Sequence, residues 1–320
     1  MKIIIAGGSG LIGGALTRAL LGRGHTVTIL SRRQIPEKVP SNPSLRTVRW
    51  DGLTTGAWAE CLGGADAVVN LTGASIGNGR WTDRRKQEIL DSRIKPTSVL
   101  IEAMKKVARR PQLLINQSAT GYYGDVPEEE LDERSPPGTD FLATVCRAWE
   151  DSTEAAKKIG LRVVRMRTGV VLHHRAPAFQ KIVLPFRFFA GGWYGRGSQW
   201  FPWIHLHDTI EGYRHVLEHP SLSGPVNLVA PESLRVRDFM TTLGQVMGRP
   251  AWIPVPGFAL RVMLGEMADM LLHSQRVAPK VLLESGMTFR FPAARGALSQ
   301  ELLVGRADER SRVSEMGRTP

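Results

Sequence analysis

The 320-residue sequence contains little cysteine and no long apolar run. Its two cysteines, Cys61 and Cys146, offer neither a disulfide framework nor the spacing of a metal site, so we expect no disulfide and no bound metal. No stretch reaches the roughly 18 apolar residues of a membrane span, and even residues 258–272 are interrupted by charges. The first residues enter a predicted strand without a cleavable apolar segment. These absences favour a cytoplasmic protein without a membrane partner.

Acidic residues are outnumbered by basic ones, with 30 Asp and Glu against 42 Lys and Arg and a net charge of +12. Basic pairs such as Lys105-Lys106 and Arg109-Arg110 fall on the polar faces or ends of predicted helices, without interleaved aromatic residues. This pattern is typical of a solvated surface. We therefore expect no specific nucleic-acid partner, and only weak polyanion binding at low salt.

The first predicted strand leads directly into a glycine-rich loop. Gly7, Gly10 and Gly13 are followed by apolar residues at helical spacing and then by a β-branched strand at residues 25–30. Glycines at such a turn let the backbone approach a pyrophosphate, and amides at the helix start bind the anion. The order strand, loop, helix, strand predicts a dinucleotide site. Its expected contacts are Gly7, Ser9, Gly10, Leu11, Ile12 and Gly13.

The second predicted strand ends in Ser31, Arg32 and Arg33, and no acidic residue follows before Glu37. A site for NAD usually places Asp or Glu there, whereas arginine suits the 2′-phosphate of NADP. One arginine–phosphate contact is worth about 1.5–3 kcal/mol, or roughly a ten- to hundredfold preference. We predict NADP(H) as the cofactor, with Arg32 rather than Arg33 as the main phosphate ligand. The alternative is that both arginines lie on a solvated loop.

Strand and helix patterns alternate through the first half of the chain. Residues 46–50, 66–71, 112–117 and 161–167 resemble strands, and residues 84–108 and 140–159 resemble helices. They predict an α/β fold, with a Rossmann-type doubly wound parallel sheet over residues 1–170 and a smaller C-terminal substrate lobe over residues 171–298. Ligands of such sheets lie beyond the carboxyl ends of the strands, which selects Asp51, Leu71, Thr72, Gly73, Ser118 and Val171.

The pattern changes after residue 171. Residues 185–203 combine aromatic residues with glycines, either as a lid over a cleft or as local packing. Further helices are predicted at 207–218, 236–247 and 256–272, and residues 207–219 are expected to pack back on the Rossmann part. Residues 299–320 contain few apolar side chains and predict a disordered tail.

Several short motifs resemble one known family. They are Gly7-x-x-Gly10-x-x-Gly13, Asn70-Leu-Thr-Gly73, Ser118 with Gly121-Tyr-Tyr-Gly124, and Trp203-Ile-His-x-x-Asp208. Together they resemble an extended short-chain dehydrogenase/reductase of the epimerase/dehydratase group. More narrowly, the chain is similar to the atypical "epimerase family proteins", through Ser92-Arg93, Cys146-x-x-Trp149-Glu150, Leu184-Pro-Phe186, Phe201-Pro-Trp-Ile-His205 and the block at 248–298.

The resemblance implies NADP contacts at Ser31, Arg32, Leu71, Thr72, Glu88, Arg93 and Val171. Arg93 can meet a phosphate directly, whereas charge repulsion makes a ribose hydroxyl the better partner for Glu88. The alternative for both is a charge on the helix surface. By analogy with the family, the protein is a monomer or a homodimer.

The catalytic centre departs from the family pattern. These reductases normally use a tyrosine with a lysine four residues later, and none of the four tyrosines here is followed in that way. Counting back from Glu150, the expected pair falls on Leu142 and Cys146. We expect Ser118 to bind the substrate oxygen and Tyr122 to be a substitute acid, with a structural tyrosine as the alternative. Cys146 is either a reactive thiol or a small buried side chain, and Asp208 either caps a helix or contacts ligand.

Two functions remain open. The first is an NADP-dependent oxidoreductase or epimerase that acts on an unidentified carbonyl or sugar-like substrate. The second is a catalytically inactive NADP(H)-binding sensor or regulatory protein. Turnover of the nicotinamide in the presence of substrate distinguishes them.

Overall fold

The computed structural model describes residues 1–32 and 42–316, with side chains described as far as Gly305. The strands are β1 (Lys2–Ala6), β2 (Thr26–Ser31), β3 (Leu45–Arg49), β4 (Ala67–Asn70), β5 (Leu113–Ala119), β6 (Val126–Leu131), β7 (Arg162–Thr168), β8 (Val170–Leu172), β9 (Trp200–Phe201), β10 (Trp203–His205), β11 (Gly224–Leu228), β12 (Leu234–Arg235) and β13 (Gln275–Val277). The α-helices are α1 (Leu11–Leu21), α2 (Asp83–Lys106), α3 (Phe141–Asp151), α4 (Glu154–Lys158), α5 (Pro177–Arg187), α6 (Leu206–Glu218), α7 (Val236–Met247), α8 (Gly257–Leu264), α9 (Asp269–Leu272), α10 (Lys280–Glu284) and α11 (Ala294–Met316).

The main sheet has seven strands in the order β11-β7-β5-β4-β1-β2-β3. Every neighbouring pair is parallel, and β1 lies between β2 and β4, with Ile3 opposite Val27 of β2 and Ala67 of β4. The chain moves outward from β1 in one direction through β2 and β3, then returns and moves outward in the other direction. This topology confirms the predicted doubly wound, Rossmann-type sheet.

Helices cover both faces of the sheet. On one face, α1 and α6 pack on the strands, and Leu16 and Tyr213 share an apolar cluster with Ile3 and Ile5. On the other face, α2 and α4 cover Ile4 and Val68. Helix α6 and strand β11 therefore belong to the Rossmann-type sheet and its covering helices, although both follow residue 171 in the chain.

A second apolar core lies in the C-terminal half, between α5, α7, α11 and the short strands β8 to β10. It contains much of the aromatic segment at residues 185–203, since Phe186, Phe201 and Trp203 are buried there. A Cβ on Gly192 would lie 1.7 Å from the carbonyl oxygen of Ile253, so glycine is required where these chains meet. These residues form local packing in the lobe. The boundary at residue 170 remains a prediction.

Two of the predicted helices are interrupted. The helix at 140–159 divides into α3 and α4, because Ser152 Oγ and Thr153 Oγ1 donate to the carbonyls of Trp149 and Glu150, each at 2.6 Å. The helix at 256–272 divides into α8, a 3-10 turn (Gly265–Ala268) and α9. Gly265, with a φ of +64°, turns the chain between them.

The predicted disordered tail is wrong for residues 299–316, which continue helix α11. The helix is anchored at its start by Ala297 and Leu298 in the C-terminal core. One turn later, the buried Glu301 accepts hydrogen bonds at 2.7 and 2.8 Å from the amide and Nδ1 of His174. A buried carboxylate with these partners stabilises a segment that composition alone marks as weak.

Among the helices of the described residues, none is both long enough and apolar enough to cross a bilayer.

Candidate functional site

The glycine loop brings three backbone segments into close contact. Gly7 has a φ of +81°, and a Cβ on it would lie 2.9 Å from the carbonyl oxygen of Leu71, just after β4. A Cβ on Gly13 would lie 2.5 Å from the carbonyl oxygen of Gly7. Only glycine fits at either position. These contacts hold the start of α1 against the loop and the β4 turn, as a dinucleotide fingerprint requires.

Helix α1 begins at this loop with exposed backbone donors. Gly10 is its N-cap and no side chain of the described residues caps it there. Ser9 and Gly10 are exposed, and Leu11 and Ile12 are half-buried. The first amides of a helix have no partner within the helix, so this end of α1 can bind an anion.

Arg32 lies beside the glycine loop. Ala6 at the end of β1 is opposite Leu30 of β2, and the amide of Gly7 donates to the carbonyl of Leu30 at 3.3 Å. Ser31 is buried at the end of β2, whereas Arg32 beyond it is exposed. The structure thus places Arg32, the residue predicted to bind the 2′-phosphate, at the edge of the sheet that carries the glycine loop. Arg33 lies outside the described residues.

The turn after β4 is held by side chains from inside the molecule. Asn70 Oδ1 accepts hydrogen bonds from the amide and the hydroxyl of Thr72 at 3.2 and 2.7 Å. Arg93 donates to the carbonyls of Ala74 at 3.1 Å and Ile89 at 2.9 Å, and desolvation lowers its pKa. A Cβ on Gly73 would lie 3.3 Å from the guanidinium carbon of Arg93. In this arrangement Arg93 supports the turn and is close to Gly73.

Three other expected contacts differ in their surroundings. The carboxylate of Asp51 accepts hydrogen bonds from the amides of Leu53 and Thr54 and from the Thr54 hydroxyl, and these bonds lower its pKa to about 2. Glu88 is exposed on α2 and pairs with Arg85 at 2.7 Å. Val171 lies in β8, half-buried. The carboxylates of Asp51 and Glu88 therefore already bind groups within the protein. Val171 is apolar and could contact a cofactor only through its side-chain methyl groups or its backbone.

Ser118, the penultimate residue of β5, is fully buried, and its hydroxyl donates to Glu150 Oε1 at 2.8 Å. Glu150 also accepts two hydrogen bonds from Arg167, from Nε at 2.8 Å and from Nη2 at 2.9 Å. Such a bidentate pair is strongly oriented. Ser118 is thus joined through Glu150 to the guanidinium of Arg167 on the neighbouring strand, β7.

The same guanidinium organises the two tyrosines of the turn after β5. Its carbon lies 3.5 Å from the centre of the Tyr122 ring, and Nη1 donates to the hydroxyl of Tyr123 at 3.0 Å. Tyr123 is buried, which raises its pKa to about 12, and it donates to Asn227 Oδ1 at 2.6 Å. Tyr122 is half-buried. Arg167 therefore connects both expected catalytic residues, Ser118 and Tyr122.

Cys146 is the residue at which the sequence resemblance predicts the family's lysine. Its thiol is buried beneath the tyrosine turn, since a Cβ on Gly121 would lie 3.8 Å from Sγ. Burial raises the pKa of this thiol to about 12, so it is protonated at neutral pH. This supports the small buried side chain and disfavours the reactive thiol.

Asp208 does not cap α6 as considered from the sequence. His205 caps α6, because its Nδ1 accepts from the amide of His207 at 3.0 Å. The buried carboxylate of Asp208 instead accepts hydrogen bonds, each at 2.9 Å, from the amides of Arg290 and Phe291. It joins α6 to the segment before α11.

A histidine cluster lies near the end of β8. His173, His174 and Glu301 bring possible ligand atoms within 4.8 Å of one another. Hydrogen bonds already use the Nδ1 atoms, since that of His174 bonds Glu301 and that of His173 accepts from the amide of Arg175 at 3.1 Å. Glu301 also lies 2.7 Å from Nε2 of His205. The cluster links α11 to the two strands β8 and β10.

A cavity of about 740 Å³ opens beside this cluster, between α5, α7 and α11. Its described lining includes Lys181, Leu184, Arg249 and Glu301, but neither Ser118 nor Tyr122. Lys181 donates to the carbonyl of Gly77 at 3.2 Å, in the segment that follows the β4 turn. The cavity is thus separate from the serine and tyrosine but lies next to the cofactor edge.

The sequence did not single out Arg167. It lies in a strand where Arg165 and Arg167 alternate with apolar residues, a pattern that also fits a half-exposed strand. Two features of the sequence could have indicated its role. Arg167 lies near the carboxyl end of β7, and Glu150 is an acidic residue on an otherwise apolar helix face, where a buried cation would be its expected partner. Buried opposite charges from different elements must pair, but their pairing is not encoded locally.

The parallel sheet and its glycine loop define a Rossmann-type α/β protein with a carboxyl edge built for a dinucleotide. A family model described as "NAD dependent epimerase/dehydratase family" matches residues 3–229, and one described as "Domain of unknown function (DUF1731)" matches residues 255–301. The chain therefore belongs to the NAD-dependent epimerase/dehydratase family, which confirms the resemblance seen in the sequence.

Individual relatives are similar over nearly the whole chain. The epimerase family protein SDR39U1 homolog, chloroplastic, of Arabidopsis thaliana is 36% identical, over 93% of this chain and 86% of that protein. Epimerase family protein SDR39U1 of Bos taurus is 38% identical, over 94% of this chain and 99% of that protein. The crystal structure of human epimerase family protein SDR39U1 (isoform 2) with NADPH has a TM-score of 0.84 and 35% identity, and covers 94% and 99% of the two chains.

Proposed function

We propose that this protein binds NADP(H) in preference to NAD(H). The main support is the position of the exposed Arg32 directly beyond β2, next to the glycine loop and the uncapped start of α1. Pyrophosphate would bind the α1 amides and the 2′-phosphate would bind Arg32. The human relative, whose structure contains NADPH, is similar over 94% of this chain, which supports the same preference.

Titration of the protein with NADPH and NADH, followed by nicotinamide fluorescence, tests this proposal. We expect NADPH to bind roughly ten- to a hundredfold more tightly than NADH, and Arg32→Ala to abolish most of this difference. Arg110→Ala, which removes an exposed charge at the opposite end of the strands, is the control. Equal affinities for both cofactors in the unaltered protein would refute the proposal.

We further propose that the protein is an oxidoreductase or epimerase acting on a carbonyl or sugar-like substrate. The bound cofactor would supply or accept a hydride. Tyr122 would exchange a proton with the substrate oxygen, and Ser118 would position that oxygen. Since the Ser118 proton is donated to Glu150, its oxygen is best suited to accept a hydrogen bond from an alcohol.

A second candidate is an NADP(H)-binding protein without turnover. It is favoured by one observation: Leu142 and the protonated Cys146 stand where the family pattern has tyrosine and lysine, so no cation from that helix activates a phenol.

The two candidates predict different behaviour with NADPH and a panel of aldehydes, quinones, ketoacids and nucleotide sugars. For an enzyme, at least one compound changes the nicotinamide absorbance or is epimerised. Ser118→Ala and Tyr122→Phe then lower kcat by about 100-fold or more while the affinity for NADPH is unchanged. Full activity of both variants would refute the assigned roles. Tight NADPH binding without turnover of any compound would favour the sensor.

A further inference from the structure

Exposed apolar side chains are concentrated in one part of the C-terminal lobe. Nine of the thirteen large apolar side chains that are exposed among the described residues lie in residues 184–189 and 252–263. Phe188 and Phe258 are each 74% exposed and Trp252 is 66% exposed. We call these exposed side chains of the two segments the aromatic patch. Apolar surface clustered in this way marks an interaction site.

Hydrogen bonds hold the two segments of the patch together. The amides of Trp252 and Ile253 donate to the carbonyl of Gly191 at 3.0 and 3.1 Å. The Trp252 ring nitrogen donates to the carbonyl of Phe189 at 3.2 Å. Helix α8 follows directly and adds Phe258 and Val262, which are four residues apart and therefore on one helix face.

The backbone at Phe189 is strained in a way that keeps its ring outside the protein. Phe189 has a φ of +59° and is the single non-glycine residue with positive φ among the described residues. An aromatic residue in this conformation is an outlier, yet the ring is more than half exposed and contributes little to the core. Strain of this kind persists at functional sites. Here it presents an aromatic ring to solvent.

Basic side chains outnumber acidic ones in and around the patch. Residues 181–191 and 249–265 contain Lys181, Arg187, Arg249 and Arg261 and no Asp or Glu, and Glu266, which follows directly, pairs with Lys86. The Arg249 guanidinium lies 4.0 Å from the centre of the Phe189 ring. Asp269 of α9 pairs with Arg261 at 3.3 Å, and the chain as a whole carries +12. A second copy of this chain would bring like charges together, whereas an anionic surface would be attracted.

We propose that the aromatic patch docks on the surface of an anionic lipid bilayer. Phenylalanine and tryptophan rings partition into the boundary between headgroups and acyl chains, and neighbouring arginines and lysines bind anionic headgroups. This mode needs no membrane-spanning helix, so it agrees with the composition of the described helices. The lack of a membrane-spanning segment, from which no membrane partner was expected, does not exclude docking at the surface of a bilayer.

Co-sedimentation with lipid vesicles tests the proposal. We expect the protein to pellet with phosphatidylcholine vesicles that contain about one-third phosphatidylglycerol, and at least tenfold less with phosphatidylcholine alone. Binding to the anionic vesicles should fall as salt is raised. Phe258→Ser and Val262→Ser together should lower the binding at least tenfold, because these two apolar side chains of α8 would enter the lipid. Both are more than 70% exposed, so their loss should leave the fold intact.

The matched control is the pair Leu53→Ser and Leu283→Ser, two exposed leucines outside the patch. This double variant should bind vesicles like the unaltered protein. Failure of the unaltered protein to pellet with anionic vesicles would overturn the proposal. So would equal loss of binding in both double variants. A dimer in light scattering that only the patch variant loses, without vesicle binding, would instead identify a self-association face. Patch-dependent binding to polyglutamate but not to vesicles would identify an acidic protein partner.

Discussion

The proposed cofactor edge and the proposed catalytic edge of the same sheet are built in different ways. Around the ends of β1 and β4 the backbone segments approach closely, with glycines at positions where a Cβ would lie 2.5 to 2.9 Å from a carbonyl oxygen. At the ends of β5 and β7, a buried ion pair between Glu150 and Arg167 holds Ser118 and the tyrosine turn. At the first edge the glycines of the sequence motif are present, whereas at the second Cys146 lies where the resemblance predicts a lysine. The two edges therefore depend on different interactions.

Removal of Glu150 should have the largest effect. Glu150→Ala leaves the guanidinium of Arg167 buried without a carboxylate, which we expect to lower the free energy of unfolding by about 3–5 kcal/mol. Urea denaturation measures this change. In Glu102→Ala, the lost carboxylate is half-exposed and pairs with Lys105, so the loss should stay below about 1 kcal/mol. Similar losses in both variants would show that the buried pair does not organise this edge.

A methyl group in the glycine loop should have the next largest effect. Gly13→Ala places a Cβ against the carbonyl of Gly7, which we expect to lower the free energy of unfolding by about 1–3 kcal/mol and NADPH affinity at least tenfold. Gly14→Ala is the matched control, since the nearest atom to its Cβ is 3.8 Å away and alanine favours helix. Calorimetry with and without NADPH measures both effects. If the two variants behaved alike, close backbone approach would not define the cofactor edge.

Lowering the pH should weaken the attachment of α11, because this attachment depends on the buried carboxylate of Glu301, much as the edge at β5 and β7 depends on that of Glu150. Burial alone raises the pKa of Glu301, but its contacts with His205 and His174 outweigh burial and lower the pKa from 4.5 to about 2. Because the folded-state pKa is depressed, its contribution is present above about pH 4.5 and is lost as the pH falls towards 2.

We expect this loss to be roughly 1–3 kcal/mol of unfolding free energy. Denaturation of the unaltered protein and of Glu301→Gln across this range isolates the effect. The difference in stability between the two should shrink as the pH falls. A difference that is independent of pH would contradict the assigned charge.

The smallest effect concerns backbone conformation in the C-terminal lobe. Phe189→Gly removes the strain of a positive φ and should raise the free energy of unfolding by about 1 kcal/mol, because relief of the strain outweighs the lost contact between the half-exposed ring and Arg249. Thermal denaturation measures it. Phe188→Gly, at a residue with a φ of −101°, should not stabilise the protein. Stabilisation by both changes would point to loss of exposed apolar surface rather than to backbone strain.

The contrast between the two edges also explains what could be predicted from sequence. The parallel Rossmann-type sheet and the glycine loop depend on local patterns, and the sequence predicts both. The links from Ser118 to Glu150 and Arg167 join three separate elements and need the fold. Helix α11 also needs the fold: its polar composition suggests disorder, and the hydrogen bond between Glu301 and His174 that anchors it joins residues far apart in the chain. Local composition does not report partners that are distant in the chain.

A crystal structure of this protein with NADPH would decide whether the cofactor edge works as proposed. We expect an oxygen of the 2′-phosphate within about 3 Å of the Arg32 guanidinium, and the pyrophosphate on the first amides of α1. An adenosine ribose that lies away from Arg32, with its 2′-phosphate in solvent, would contradict the proposed cofactor preference.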